Sequence, residues 1–178
     1  MAKISPLAFL PPVIFLGIAG MFYFNLGREG GQDLPSTMLG RAAPGLMQIT
    51  TLRDDAPPTM ADLQADGIKF VNFWASWCGP CRAEHPLLEK MADEGLILIG
   101  INYKDQPDNA LKFLSDLGDP FAQIGADRTG RTGLEWGVYG VPETFVIDKN
   151  GKVLYRHPGP LTQRVLDERI LPVIAAAD

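Results

Sequence analysis

The chain is poor in cysteine and histidine: 178 residues hold two of each, Cys78, Cys81, His85 and His157. Two cysteines exclude a disulfide framework, and a zinc site would need more ligands than these histidines add. Basic residues are also scarce, 16 Lys and Arg against 21 Asp and Glu for a net charge of −5, and they are scattered without a block. That composition gives no electrostatic footprint for nucleic acid. No internal repeat and no long low-complexity tract occurs. The length suits one domain with a real core plus an appendage.

Charge is wholly absent from Ile4 to Leu26. About 20 apolar residues span a bilayer, so residues 1–26 are expected to form an N-terminal signal anchor or transmembrane segment. Lys3 precedes the stretch and Arg28 and Glu29 follow it, while Phe22, Tyr23 and Phe24 look like an aromatic belt at the outer interface. Pro6, Pro11 and Pro12 would kink or delay the helix, leaving its core from about Pro12 to Leu26. A cleaved signal peptide is the alternative, with Gly17-Ile18-Ala19 as a weak cleavage motif. Either reading sends the remainder across a membrane. Residues 27–39, with Gly, Pro and Ser, read as a linker, and residues 40–178 as the globular domain.

The two cysteines stand close together in Trp77-Cys78-Gly79-Pro80-Cys81, after the apolar Phe70-Val71-Asn72-Phe73-Trp74 and at the start of a predicted helix. That context points to a dithiol cycling between reduced and disulfide forms. The first turn of a helix stabilises a thiolate through its unpaired N–H groups and macrodipole. Cys78 is therefore expected to be the exposed nucleophile, and Cys81, one turn further in, the shielded resolving thiol. Pro80 fits a first turn, where its missing N–H has no intrahelical duty. A purely structural disulfide closing so short a loop would add little stability.

Periodicity places the other elements. Met47–Leu52 is expected as a first strand and Thr59–Leu63 as a short helix capped by Thr59. Lys69–Ala75 and Leu96–Ile101 read as buried strands, Cys78–Glu94 and Pro107–Leu117 as helices. Thr144–Asp148 and Lys152–Arg156 read as strands joined at Asn150-Gly151. A last helix carries Leu161, Val165, Leu166 and Ile170, with Pro172 ending or kinking it. The order predicts an α/β fold, parallel strands then antiparallel ones, with a mixed central sheet flanked by helices.

Phe73-Trp74-Ala75-Ser76-Trp77-Cys78-Gly79-Pro80-Cys81 resembles the active-site segment of the thioredoxin superfamily, and Gly140-Val141-Pro142-Glu143-Thr144-Phe145 resembles its second signature. The resemblance implies a thioredoxin fold and a cis bond before Pro142, in a loop that faces the dithiol and offers backbone groups to an extended substrate. More narrowly, Cys81-Arg82-Ala83-Glu84-His85-Pro86, Gly100-Ile101-Asn102-Tyr103-Lys104-Asp105 and Gly137–Phe145 resemble the membrane-anchored CcmG/DsbE branch. That branch implies a periplasmic thiol:disulfide oxidoreductase in the bacterial inner membrane. Its members keep the Cys-x-x-Cys-His motif of apocytochrome c reduced for haem attachment. The implied partners are apocytochrome c, a CcmH-like maturation protein and a DsbD/CcdA-like transmembrane reductase. No cofactor beyond the Cys78–Cys81 pair and no metal is implied. Arg82 follows Cys81, so the chain is not itself a c-type cytochrome.

Where thioredoxins have an aspartate two residues before the strand's Trp, this sequence has Asn72, which takes no proton. Glu84 and Glu143 are the candidate acids to replace it and tune the thiols. Without that role, Glu84 is a solvated helix residue and Glu143 a turn residue. Val141, Pro142 and Trp77 are the candidate substrate-binding residues; Trp74 reads as packing and His85 as a helix residue near the site. Tyr103, Lys104 and Asp105 either shape a partner-facing loop or form an ordinary turn and helix cap. Three other functions share these motifs: a general extracytoplasmic thiol reductase, an oxidase, and a non-enzymatic module binding thiols or metal.

Overall fold

The structure is a computed structural model that describes residues 10–26 and 38–177. The chain divides into two units, Met1–Leu34 and Pro35–Asp178. In the first, helix α1 runs Leu10–Leu26. Pro11 and Pro12 lie in its first turn, where a missing N–H costs no intrahelical bond, so they start the helix instead of delaying it. Its 17 residues rise about 25 Å, against roughly 30 Å of bilayer hydrocarbon. No helix among the described residues is long and apolar enough to cross a membrane, so the expected anchor is not shown. Residues 1–9 of that expected segment, and residues 27–37 of the expected linker, lie outside the described residues.

The second unit is built on a five-stranded sheet in the order β3-β2-β1-β4-β5. Strands β1 (Lys69–Trp74), β2 (Ile97–Tyr103) and β3 (Gln123–Asp127) pair in parallel. Strands β4 (Glu143–Ile147) and β5 (Val153–Pro158) are antiparallel, β4 against β1 and β5 against β4. Around them lie α2 (Met60–Leu63), α3 (Gly79–Asp93), α4 (Pro107–Leu117), α5 (Arg131–Glu135), α6 (Gln163–Val165) and α7 (Leu171–Ala175). The β1–α3–β2–α4 order, the β4–β5 hairpin and the helical C-terminus are as expected, whereas β3 and α5 stand between α4 and the hairpin without having been expected.

Strand β1 is central and buried throughout, which is why its sequence is nearly continuous in apolar residues. Phe70 and Trp74 pack with Leu88, Met91, Phe113 and both cysteines in one core. Val71 and Phe73 face the other side, with Trp136, Phe145 and Ile147. This alternation decides which polar residues share a face with the dithiol.

Residues 47–52 do not form the expected strand. Leu46, Ile49 and Leu52 are buried while Met47 is 86 % exposed, a spacing of three that no pleated strand can produce. Only an isolated bridge, Thr50 to Ala126, joins this segment to the sheet. Strand β3 and helix α5 were not foreseen, being five residues each and weakly periodic. Pro172 does not end the last helix: a wider turn, Leu166–Ile170, precedes it and α7 continues. Such a turn accommodates the absent N–H.

Candidate active site

Strand β1 delivers the chain to Ala75-Ser76-Trp77, which turns into α3. Cys78 caps that helix, and its Sγ accepts the Cys81 backbone N–H at 3.1 Å. Pro80 lies in the first turn, as its sequence position requires. The two cysteines form a disulfide, with Cα atoms 5.3 Å apart. After reduction, the helix N-terminus favours negative charge on Cys78 over Cys81, because the dipole effect fades within the first turn.

The Val141 carbonyl oxygen stands 3.4 Å from Cys78 Sγ, and the Val141–Pro142 bond is cis. In the disulfide this is a contact; a Cys78 thiol would donate its S–H there. The expected exposure is corrected, because Cys78 is 4 % and Cys81 2 % exposed. What stands open is the rim, with Trp77, Gly79, Pro80, Tyr139 and Gly140 all exposed, while Pro142 is buried. Access to the sulfurs is therefore controlled by the turn and by the 139–141 loop.

Glu84 is not a solvated helix residue. It lies buried one turn after Cys81, on the same face of α3, with its carboxylate fully engaged. Asn72 Nδ2 donates to Oε1 at 3.0 Å, and the Leu161 backbone N–H donates to Oε2 at 2.6 Å. Burial pushes the carboxyl up to about 7, the two hydrogen bonds opposing it. A group with that value takes or gives a proton at neutral pH. Asn72 also donates to Thr144 Oγ1 at 3.0 Å, and its own oxygen is buried without a partner.

Glu143 goes elsewhere. It pairs with Phe73 across the sheet and shares a face with Phe145, opposite Asn72 and Thr144. Its Oε1 accepts a hydrogen bond from Arg156 Nε. Arg156 Nη2 also donates to the Gly137 carbonyl at 2.7 Å, and the guanidinium stacks 5.2 Å from the Tyr139 ring. Burial raises the Glu143 carboxyl, while Arg156 and the Tyr139 backbone oppose that shift. The structure thus separates the two acids, one on the dithiol helix and one on β4 at the end of the Pro142 loop.

His85 is a core residue: its Nε2 lies 3.0 Å from the Gly118 carbonyl oxygen, and its ring meets Phe113 edge-on. No group of three or more His, Cys, Asp or Glu is placed to hold a metal among the described residues. Sequence reasoning missed Thr144, the Leu161 amide and Arg156. Their signal was long-range, spread over segments that only the sheet brings together. Trp74 packs against Phe113 and Phe121, as expected of a core residue.

A disulfide at the start of a helix, with a peptide carbonyl against one sulfur, is arranged to exchange thiols with a partner chain. On this sheet that makes the molecule a disulfide oxidoreductase of the thioredoxin fold. The Redoxin family model matches residues 38–171. The chain is 45% identical over 175 residues to the thiol:disulfide interchange protein HelX of Rhodobacter capsulatus, covering 98% of each chain. It is 39% identical over 169 residues to DsbE of Escherichia coli, covering 92% of this chain and 91% of that one. Among solved structures, a secreted disulfide oxidoreductase of Mycobacterium tuberculosis homologous to DsbE has a TM-score of 0.59 at 25% identity, covering 72% and 93% of the two chains. The chain belongs to the Redoxin family, among its CcmG/DsbE-type thiol:disulfide interchange proteins. Their redox centre is the cysteine pair itself, and the chemistry calls for no cofactor.

Proposed function

We propose that this protein is a membrane-attached, periplasmic reductant that keeps the Cys-x-x-Cys-His motif of apocytochrome c, or a CcmH-like maturation partner, in the dithiol form. The observation that carries the reading is the placement of Cys78 Sγ at the start of α3, 3.4 Å from the Val141 carbonyl oxygen. The Cys78 thiolate attacks one sulfur of the target disulfide, forming a mixed disulfide and releasing the other sulfur as thiolate. Cys81 then attacks Cys78, closing the Cys78–Cys81 bond and freeing the second target sulfur. Two electrons pass to the target, and a DsbD/CcdA-like transmembrane reductase restores the dithiol. Glu84, one turn from Cys81, is the group we assign to receive the Cys81 proton. Asn72 orients it, and Val141, Pro142 and Trp77 receive the partner. Membrane attachment is supported by the charge-free Ile4–Leu26 sequence.

Partner capture tests this reading. Cys81→Ser, expressed as the full chain, is expected to accumulate membrane-associated mixed disulfides through Cys78 with proteins bearing Cys-x-x-Cys-His. A Cys78→Ser protein of full activity, with no capture by Cys81→Ser, overturns it. The potential sets the direction: a value toward thioredoxin's −270 mV or so supports a reductant, and one near −120 mV an oxidase.

A further inference from the structure

The loop after β2 holds a carboxylate whose hydrogen bonds converge on the turn before the dithiol. Asp105 accepts from the Ser76 backbone N–H at 2.6 Å and the Ser76 hydroxyl at 2.9 Å. It also accepts from Asn102 Nδ2 at 3.0 Å and from the Gln106 N–H at 2.8 Å. Four donors occupy the roughly four lone-pair sites of one carboxylate. None of these bonds caps α4, whose N-cap is Gln106, one residue after Asp105. The next residue back adds a second link: the Lys104 carbonyl accepts the Trp77 indole N–H at 3.2 Å. Trp77 is 61 % exposed, so this bond fixes the ring more than burial does.

The backbone is strained to achieve this. Lys104 has φ +47°, the one non-glycine residue with positive φ among the described residues. That left-handed conformation is unfavourable for a residue with a side chain and persists only where surroundings enforce it. Lys104's stem lies over Gly130, where a Cβ would come within 2.0 Å of Cε. The Lys104 N–H is held by the Asp127 carbonyl at 2.9 Å.

We propose that Asp105 is a positioning residue for the redox reaction, bracing Ser76 and, through the Lys104 carbonyl, Trp77, so that Cys78 stays aligned on Cys81 when their bond is open. The proposal rests on the thiol-exchange reading above. In the disulfide form the covalent bond itself holds the turn. In the dithiol or mixed-disulfide form that bond is gone and the brace carries a larger share of the restraint, beside the Cys78 backbone bonds to Ala75 and Arg82, so losing it loosens the open forms selectively. The consequence is a lower effective concentration of Cys81 toward Cys78, because proximity is what ring closure exploits.

The test equilibrates the full chain with reduced and oxidised glutathione and reads the constant for Cys78–Cys81 closure. Asp105→Ala and Asp105→Asn are expected to lower it about fivefold, a shift of roughly 20 mV toward a more oxidising couple. Asparagine is no rescue, since its NH2 would face a donor. Ser76→Ala, which keeps the backbone bond, is expected to lower the constant about twofold and covers the case where the Asp105 variants fail to fold. Val153→Ala, in the core across the sheet, should reduce thermal stability and leave the constant unchanged. If Ser76→Ala and any folded Asp105 variant keep the parental constant, Asp105 is an ordinary turn residue and the proposal is overturned. If the parent chain itself does not exchange with glutathione, the thiol-exchange reading fails instead.

Discussion

Asn72 and Glu84 meet at 3.0 Å, amide to carboxylate, in a buried contact on the dithiol side of the sheet. The pair explains why a side chain that takes no proton stands in that position. A carboxamide serves both states of its neighbour: its NH2 donates to an ionised Glu84, and its oxygen, turned round, accepts from a protonated one. The buried Asn72 oxygen without a partner is then the spare acceptor of the charged state.

Stability should therefore depend on pH through Glu84. Burial raises its folded value to about 7, from an ordinary 4.5. The folded state binds the extra proton, so the stabilising contribution is present at low pH and is lost as pH rises through that window. At roughly 1.4 kcal/mol per unit, the loss is on the order of 3 kcal/mol between about pH 4.5 and 7. Denaturant unfolding of the oxidised protein at several pH values should show this decline. Glu84→Gln should flatten it, and equal slopes in the two proteins would exclude Glu84 as the titrating group.

The thiols should sense the same residue. An ionised Glu84 one turn from Cys81 disfavours a second negative charge, so Glu84→Gln is expected to lower the thiol titration of the reduced protein. Glu143→Gln should move it less, because Glu143 lies on the other face of the sheet, paired with Arg156. Absorbance of the thiolate against pH makes the comparison. Unchanged curves in both variants would sink the tuning role.

Asn72→Asp asks the converse question. It would set two carboxyl groups about 3 Å apart in a buried site, and like charges so close do not both ionise. The pair should hold one proton well above neutral pH. Reductase activity is expected to shift its pH profile upward by about one unit or more. A profile identical to the parent's would mean that neither group handles protons in the reaction.

Much of this was legible in the sequence, for local reasons. The Cys78–Cys81 turn, the helix after it and the hairpin at Asn150-Gly151 each depend on neighbouring residues, whose propensities and spacing are visible directly. The segment at 47–52 misled, because Met47 and Ile49 alternate as in a strand although Met47 is exposed and the buried set is Leu46, Ile49 and Leu52. Strand β3 was hidden by its brevity. The separation of Glu84 from Glu143 could not be read at all. It follows from the Asn72–Thr144 and Phe73–Glu143 register, which assigns neighbouring residues to opposite faces. Asp105 stood out only as a residue of a partner-facing loop or an ordinary turn, since its bonds to Ser76 span 29 residues.

Arg156 and Glu143 form the second device with a measurable consequence. Their ion pair is nearly dry, with side chains 10% and 1% exposed. Removing one partner of such a pair typically costs about 3–5 kcal/mol, because the other charge is left buried. Glu143→Gln should therefore destabilise more than its conservative chemistry suggests. Arg156→Lys keeps the charge but loses the planar fork that also reaches the Gly137 carbonyl. It should retain part of the stability while loosening the 137–141 loop, so exchange with a peptide disulfide should slow about tenfold while reaction with dithiothreitol stays near normal. A double-mutant cycle with Glu143→Leu and Arg156→Met isolates the coupling, expected at about 2 kcal/mol or more. If the single losses simply add, the pair holds nothing together, and the Pro142 loop is fixed by its own backbone.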